Sequence, residues 1–498
     1  MTPKKLFTIP NKVNQDNIVQ ALDQAIQLEL ATIPTYLSTY YSIQRTPDQQ
    51  EVYDKILGQL STSNDLDKSE LAHSLTLDVM VYSNKAAALI MSVVIEEMLH
   101  LSLSSNVKQA FCKQPPKLME AIQGLEFPTA LPGHEPSFPI HAGKLSIDQL
   151  ITFLQIESPN KFPKDTPDTD ANTAKAIDYT TIGEFYTMIT EYIENATDGY
   201  DPSRPQLTPD KPYYSQNTIN TVYYDRNHEQ QFTSGDDSGD LIKVKDTASA
   251  LAAIQEVVGQ GEGFKKNSMF KVKDGKIVPL EVKPIYKEGD KKIIENYEVV
   301  IPEDEREDYY DDKDQQELSH FAKFMEAYSL GLYHQEKFKQ HGLDDFFSYF
   351  VYNQPNDPKT ADYDDKEIQL LSHLGNAMFT YTILMVETCY YLDQSTQYNV
   401  FMYGIHRSMI WLLSYFGNHI RTKTFIKGKE TLNAALTFEY YDFSKSSDSP
   451  KDQIIAMSKE LAQLDSTAYG WMQEKKYDNY FPSLPDVTLD HKVATPVS

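Results

Sequence analysis

The sequence predicts a mainly α protein: a four-helix bundle with large insertions and extra C-terminal helices, plus a small β-hairpin insertion. Three observations carry this. Apolar residues recur at spacings of three, four and seven along several long stretches, the period of a helix with one buried face. Strand-like alternation is confined to one short segment. Finally, Glu-x-x-His occurs twice inside apolar helical stripes, and each occurrence is preceded by a stretch with a lone inward glutamate.

Residues 14–44 read as the first long helix, with Ile18, Leu22, Ile26, Ile33, Leu37 and Tyr40 on one face. Pro34 lies inside it, removes the bond to the Leu30 carbonyl, and predicts a kink just after Glu29. A polar helical hairpin is expected at 48–80. A very apolar helix follows over 83–112, stopped by Gln114-Pro115-Pro116. Residues 115–245 read as an elaborated connection, with short helices near 146–156 and 181–196 between loops rich in Pro, Asp and Thr. The stretch ASALAAIQEVV predicts a further helix running into GQGEG at 259–263. An insertion over 264–312 follows. Its FKVKDGKIVPL alternates around Asp274-Gly275, a hairpin signal. A helix over 315–335 carries the second Glu-x-x-His. Residues 366–392 and 396–421 read as an antiparallel pair of apolar helices, and 451–476 as a last helix. The expected organisation is a bundle over 14–335, with inserted segments 115–245 and 264–312, and additional helices over 336–498 packed on it.

With 40% apolar and 12% aromatic residues, the 498-residue chain can bury a large core. A net charge of −26 argues against nucleic acid or an anionic membrane as partner. The start, MTPKKLFTIPNK, lacks the apolar run of a secretory signal. The apolar stretches at 375–392 and 402–416 are broken by Asn376, Glu387, Arg407 and Ser414, which argues against a membrane span. Two cysteines, Cys112 and Cys389, cannot form a disulfide framework. These features together point to a cytoplasmic protein.

The chemistry lies in the buried acids. Glu29 falls in the stripe Leu22, Ile26, Ile33, Tyr36. Glu97 and His100 share a stripe with Leu89, Val93 and Val107. Leu251, Ile254 and Val258 lead to Glu262, while Glu317 and His320 line up with Phe324, Tyr328 and Leu332. A buried carboxylate costs several kcal/mol unless paired or bound to a cation. These six groups relieve one another if they converge on divalent ions, and carboxylate with imidazole suits iron or manganese. Two Glu-x-x-His motifs plus one glutamate from each of two further helices is the donor set of dinuclear carboxylate bundles. Two alternatives stay open. Glu96 could replace Glu97, and Glu184 competes with Glu262 as the third-helix ligand, or serves as an additional ligand or an outer partner. Tyr36, Tyr40, Tyr186 and Tyr328 are candidate hydrogen-bond or proton donors, though ordinary core aromatics look the same. Glu70 and His73 repeat the spacing in a polar stretch and read as surface. His134, His141, His373 and His406 read as structural or surface histidines. GQGEG is not a phosphate loop, because no strand precedes it.

AIQLELATIPTYLSTYYSI, VVIEEMLHLSLSSN, TIGEFY, GQGEG and ELSHFAKFMEA, in that order, resemble the ferritin-like domain of the iminophenyl-pyruvate dimer synthase type, found in violacein and rebeccamycin pathway enzymes. The resemblance spans roughly 14–335. It implies Glu29, Glu97, His100, Glu262, Glu317 and His320 as ligands of two iron ions (or manganese), with Glu184 close by. The function expected is O2-dependent, dinuclear non-haem iron oxidation of a small organic substrate, such as an amino-acid-derived imine in secondary metabolism. O2 and an electron donor are the expected partners. Pro34 and the glycines at 259–263 are expected to open a channel beside Glu29 and Glu262. The alternative functions are metal handling of the ferroxidase type, or a structural bundle without organic chemistry.

Overall fold

The protein is described by a computed structural model over residues 12–61, 65–135, 137–159, 177, 179–196, 199–208, 241–262, 271–273, 276–287, 290–303, 309, 318–405, 407–466, 481 and 484–494. It is mainly helical. Helix α1 runs Ile18–Ser42 and stays one helix through Pro34. Helix α2 is Gln49–Gln59, capped by the Asp48 carboxylate on the Glu51 amide. Helix α3 runs Asp65–Val107, 43 residues, and passes into a π-turn at Lys108–Cys112. The break expected near 80–83 is absent. No glycine or proline lies between 65 and 112, so nothing local ends the helix. Lys113, at φ 58°, then turns the chain out.

Short helices α4 (Leu118–Gln123), α5 (Ile147–Ile156) and α6 (Ile182–Asn195) follow, then α7 (Thr247–Glu262) and α8 (His320–Gln340). Helix α1 lies along α3; α8 packs on α3 and α5, and α7 packs on α3 and α6. These helices enclose the site. The helical run Asp67–Cys112, α3 with its π-turn, is long and apolar enough to cross a membrane by length and composition. Yet 94% of its apolar 18-residue window is buried inside the protein, so α3 is the central core helix here.

The C-terminal part contributes α9 (Lys366–Cys389), α10 (Gln394–Val400), α11 (Leu413–Ile420) and α12 (Pro450–Leu464). The expected single helix over 396–421 is instead α10 and α11 joined by π-turns at Phe401–Ile405 and Ser408–Leu412. Helix α11 crosses α1 at Gly417, where an added Cβ would stand 2.6 Å from Tyr41 Cγ. Arg421 donates to the carbonyls of Tyr41 (3.0 Å) and Ile43 (2.7 Å), satisfying the C-terminal end of α1.

Three small antiparallel hairpins complete the described chain. Strands β1 (Val272–Lys273) and β2 (Lys276–Ile277) flank the predicted Asp274-Gly275 turn. Strands β3 (Glu281–Lys287) and β4 (Asp290–Val300) pair from Glu281↔Val300, with a register shift after Ile285. Strands β5 (Thr424–Lys427) and β6 (Glu430–Asn433) turn at Gly428, φ 67°. The last two hairpins were not expected.

Candidate metal centre

Five side chains from four helices meet in the core, each 5% exposed or less. Glu29 comes from the middle of α1, and Glu97 and His100 from consecutive turns of α3, where a spacing of three places them on one face. Glu157 is the residue that ends α5. His320 is the first residue of α8, set there by Ser319, whose side chain accepts from the Ala322 amide. His320 Nδ1 lies 3.0 Å from Glu97 Oε1 and 3.5 Å from Glu157 Oε2. His100 Nδ1 lies 3.6 Å from Glu29 Oε2. The two imidazoles stack at 5.0 Å between centroids. Ligand atoms of Glu97, His100 and His320 all fall within 4.8 Å of one another.

A second set of groups orients these. Thr32 donates to Glu97 Oε2 at 2.8 Å. Tyr186 donates to Glu29 and Tyr36 to Glu157. The outer nitrogen of His100, Nε2, is 2.9 Å from Gln260 Oε1 on α7. The outer nitrogen of His320 is 2.9 Å from Glu96 Oε2, and both Glu96 oxygens take Lys323 Nζ at 2.6 Å.

The structure places the predicted residues unevenly. Glu29, Glu97, His100 and His320 come together. Helix α7 reaches Glu262, but that side chain and the whole of Glu317 lie outside the described residues. Helix α8 starts at His320. The two adjacent acids both flank His320, Glu97 at Nδ1 and Glu96 at Nε2, and Glu96 is also bound to Lys323. Glu184 is corrected. Its carboxylate is exposed and accepts from the Thr180 amide and hydroxyl at 2.7 Å, just before the Thr181 cap of α6. Tyr328 is corrected too. Its hydroxyl donates to the Ile277 carbonyl at 3.1 Å and anchors the first hairpin. Tyr36 does reach the centre. Glu70 and His73 are exposed, as expected of a surface pair. Sequence reasoning missed Glu157, although Leu150, Phe153 and Leu154 put it on the buried face of α5 one turn further on. Closing that helix at 156 hid it.

The electrostatics are those of too many acids in one dry place. Burial, then the charges of Glu157 and Glu29, push the Glu97 carboxyl well above the usual range. Glu29 feels the same burial, but its bonds with His100 and Tyr186 hold it below its ordinary value. Burial would also raise Glu96, which Lys323 and His320 hold low. His320 is pushed well up despite its burial, by Glu157, Glu96 and Glu97. Burial and the neighbouring carboxylates raise both Tyr36 and Tyr186 well above 10.0, so these phenols keep their protons.

The residues fit metal ions. Among the described residues, four carboxylates (Glu29, Glu96, Glu97 and Glu157) face one lysine and two imidazoles, a charge excess that divalent cations relieve. Both ring nitrogens of His320 are buried, and neither meets a described partner with hydrogen-bond geometry, although carboxylate oxygens stand 2.9–3.5 Å away. A ring held among carboxylates without bonding to them is suited to a ligand role. The donor set is nitrogen and oxygen, as iron and manganese prefer.

A crystal structure of a ferritin-like protein from Caulobacter vibrioides is similar at a TM-score of 0.38 and 18% identity, covering 81% of this chain and 98% of that one. No curated protein matches. The Ferritin-like family model matches residues 22–329, through every helix that contributes a described residue to the centre. The chain belongs to the Ferritin-like family.

Proposed function

We propose that the protein is an O2-dependent, dinuclear non-haem iron oxidoreductase acting on a small organic substrate. One observation carries the reading: two imidazoles and three carboxylates, from helices far apart in sequence, meet in a buried cluster with an excess of negative charge. Bound iron would supply the reduction of O2 coupled to a two-electron oxidation, chemistry that no side chain here performs alone.

The chain's own residues would do the rest. Glu97 and His100 are held by the C-terminal half of α3, and Glu29 by the middle of α1, so their separation is fixed by helix packing. Thr32 orients the Glu97 carboxylate. Tyr36 and Tyr186 keep a proton on their phenol oxygens and donate it to Glu157 and Glu29, which sets how those carboxylates face the centre. Phe153 and Phe324 pack on Tyr36, with centroids 4.7 and 5.1 Å from it, and exclude water from that side. Gly261 lies at the edge, where an added Cβ would stand 3.8 Å from Glu157 Oε2.

The likeness to the iminophenyl-pyruvate dimer synthase type makes an amino-acid-derived imine the first substrate class to try, with an external electron donor where the substrate does not supply electrons. The test is metal content by elemental analysis of protein from iron-supplemented cells, followed by O2 uptake. About two irons per chain, lost in a Glu97→Ala plus His320→Ala variant, with O2 uptake coupled to imine oxidation, supports the reading. Ferrous oxidation without turnover of any organic compound replaces it with a ferroxidase. No transition metal after anaerobic ferrous loading overturns it.

A further inference from the structure

We propose that Lys323 is a positioning residue that withdraws Glu96 from the metal ligands and so leaves Glu97 as the acid that α3 gives to the centre. The inference rests on the metal-binding reading above. Glu96 and Glu97 are neighbours on α3, both buried, and both flank the same imidazole: Glu96 Oε2 is 2.9 Å from His320 Nε2, and Glu97 Oε1 is 3.0 Å from His320 Nδ1. By burial, charge and reach either could serve as a ligand. What separates them is Lys323, one turn beyond His320 on α8. Its ammonium lies 2.6 Å from both Glu96 oxygens.

A carboxylate with both oxygens engaged by a buried ammonium has little donor capacity left for a metal ion. Among the described residues Glu97 has no ammonium beside it; the Thr32 hydroxyl lies 2.8 Å from Oε2, and Oε1 faces the imidazole. His100 shows the contrast. Its outer nitrogen meets the neutral amide of Gln260 at 2.9 Å, and no second acid among the described residues stands beside it. Lysine is thus placed at the imidazole that, among the described residues, has a surplus carboxylate.

The test uses cobalt(II) chloride as a redox-quiet probe, titrated into the metal-free full chain and followed by visible absorption. Wild type, Lys323→Met, Glu96→Gln and the double variant Lys323→Met plus Glu96→Gln are compared. Lys323→Met frees Glu96 and removes a positive charge. We expect an altered cobalt spectrum and binding tightened about 10- to 100-fold, the scale on which outer partners act. The double variant removes lysine and surplus acid together, so its spectrum should return to that of wild type. A merely structural role would change unfolding without this reversal. A wild-type spectrum in folded Lys323→Met overturns the inference. So does a double variant whose spectrum differs from wild type, even where Lys323→Met alone does not fold. Absence of any cobalt band in wild type instead sinks the metal-binding reading itself.

Discussion

Glu97→Gln should stabilise the metal-free protein and destabilise the metal-loaded one. Glu97 Oε1 and Glu157 Oε2 lie 3.0 and 3.5 Å from the same His320 nitrogen, so their separation cannot exceed the sum of those distances. Two unit negative charges about 6 Å apart repel by about 3 kcal/mol at an effective dielectric constant of about 20. Glutamine keeps the shape, can still accept from Thr32, and carries no charge. The sign follows from linkage. Burial and the neighbouring acids raise the folded-state value of Glu97 above the unfolded one. Metal-free wild type therefore loses stability as pH rises from the usual carboxylate range to that raised value, and glutamine does not titrate. The advantage of the variant should be absent near about pH 4 and grow to about 1–3 kcal/mol above it. Metal inverts the order, because a ligand at a hundred times its Kd stabilises the fold by about 2.7 kcal/mol and the variant forfeits much of that. Urea unfolding of chelator-treated protein, with and without added manganese(II), measures both signs. A variant less stable than wild type without metal at neutral pH would refute the charge argument. Equal stabilisation of both proteins by manganese would refute the ligand role.

Other substitutions test the rest of the structure. Glu157→Gln should weaken manganese binding in calorimetry, whereas Glu184→Gln should leave it unchanged and cost about 1 kcal/mol or less through weakened bonds to Thr180. His334 is buried among Tyr82, Tyr297 and Phe346; burial first, and Lys337 second, push its imidazole down to about 3. The unfolded chain therefore binds a proton that the fold refuses, and stability should fall by about 1.4 kcal/mol per pH unit between about 6.5 and 3. His334→Phe should flatten that slope in pH-dependent urea melts. Gly417→Ala drives a methyl into the base of the Tyr41 ring and should cost about 1–3 kcal/mol in the same assay, with metal binding retained.

Much of this protein was legible because its helices carry their own signals. Periodicity found α1, α5, α6, α7 and α9, and the Asp274-Gly275 pair marked the first hairpin. Four residues of the centre, Glu29, Glu97, His100 and His320, could be picked out as acids and imidazoles inside apolar stripes. What failed did so for identifiable reasons. The sequence pattern closed α5 at 156, and so passed over Glu157, the residue that ends it. Glu184 carries the right residue type in the right neighbourhood, but local bonds to Thr180 decide its direction. Lys323 was invisible because its meaning depends on Glu96, 227 positions away in the chain. Strands β3, β5 and β6 are mostly exposed, so they impose only a weak apolar alternation.

The centre is half interior and half terminal. Glu29, Glu97 and His100 sit several turns inside α1 and α3, where exposing a residue to solvent means breaking the core. Glu157 closes α5, Gln260 lies in the last turn of α7, and His320 opens α8. Helix ends fray at a small fraction of the global unfolding free energy. Amide protons of 155–159, 258–262 and 318–322 should therefore exchange with solvent far sooner than those of 26–32 or 94–101. The centre can thus admit an ion by loosening three helix tips while its innermost wall stays shut. Capture of that ion would draw the tips closed, with exchange at the three ends slowing together.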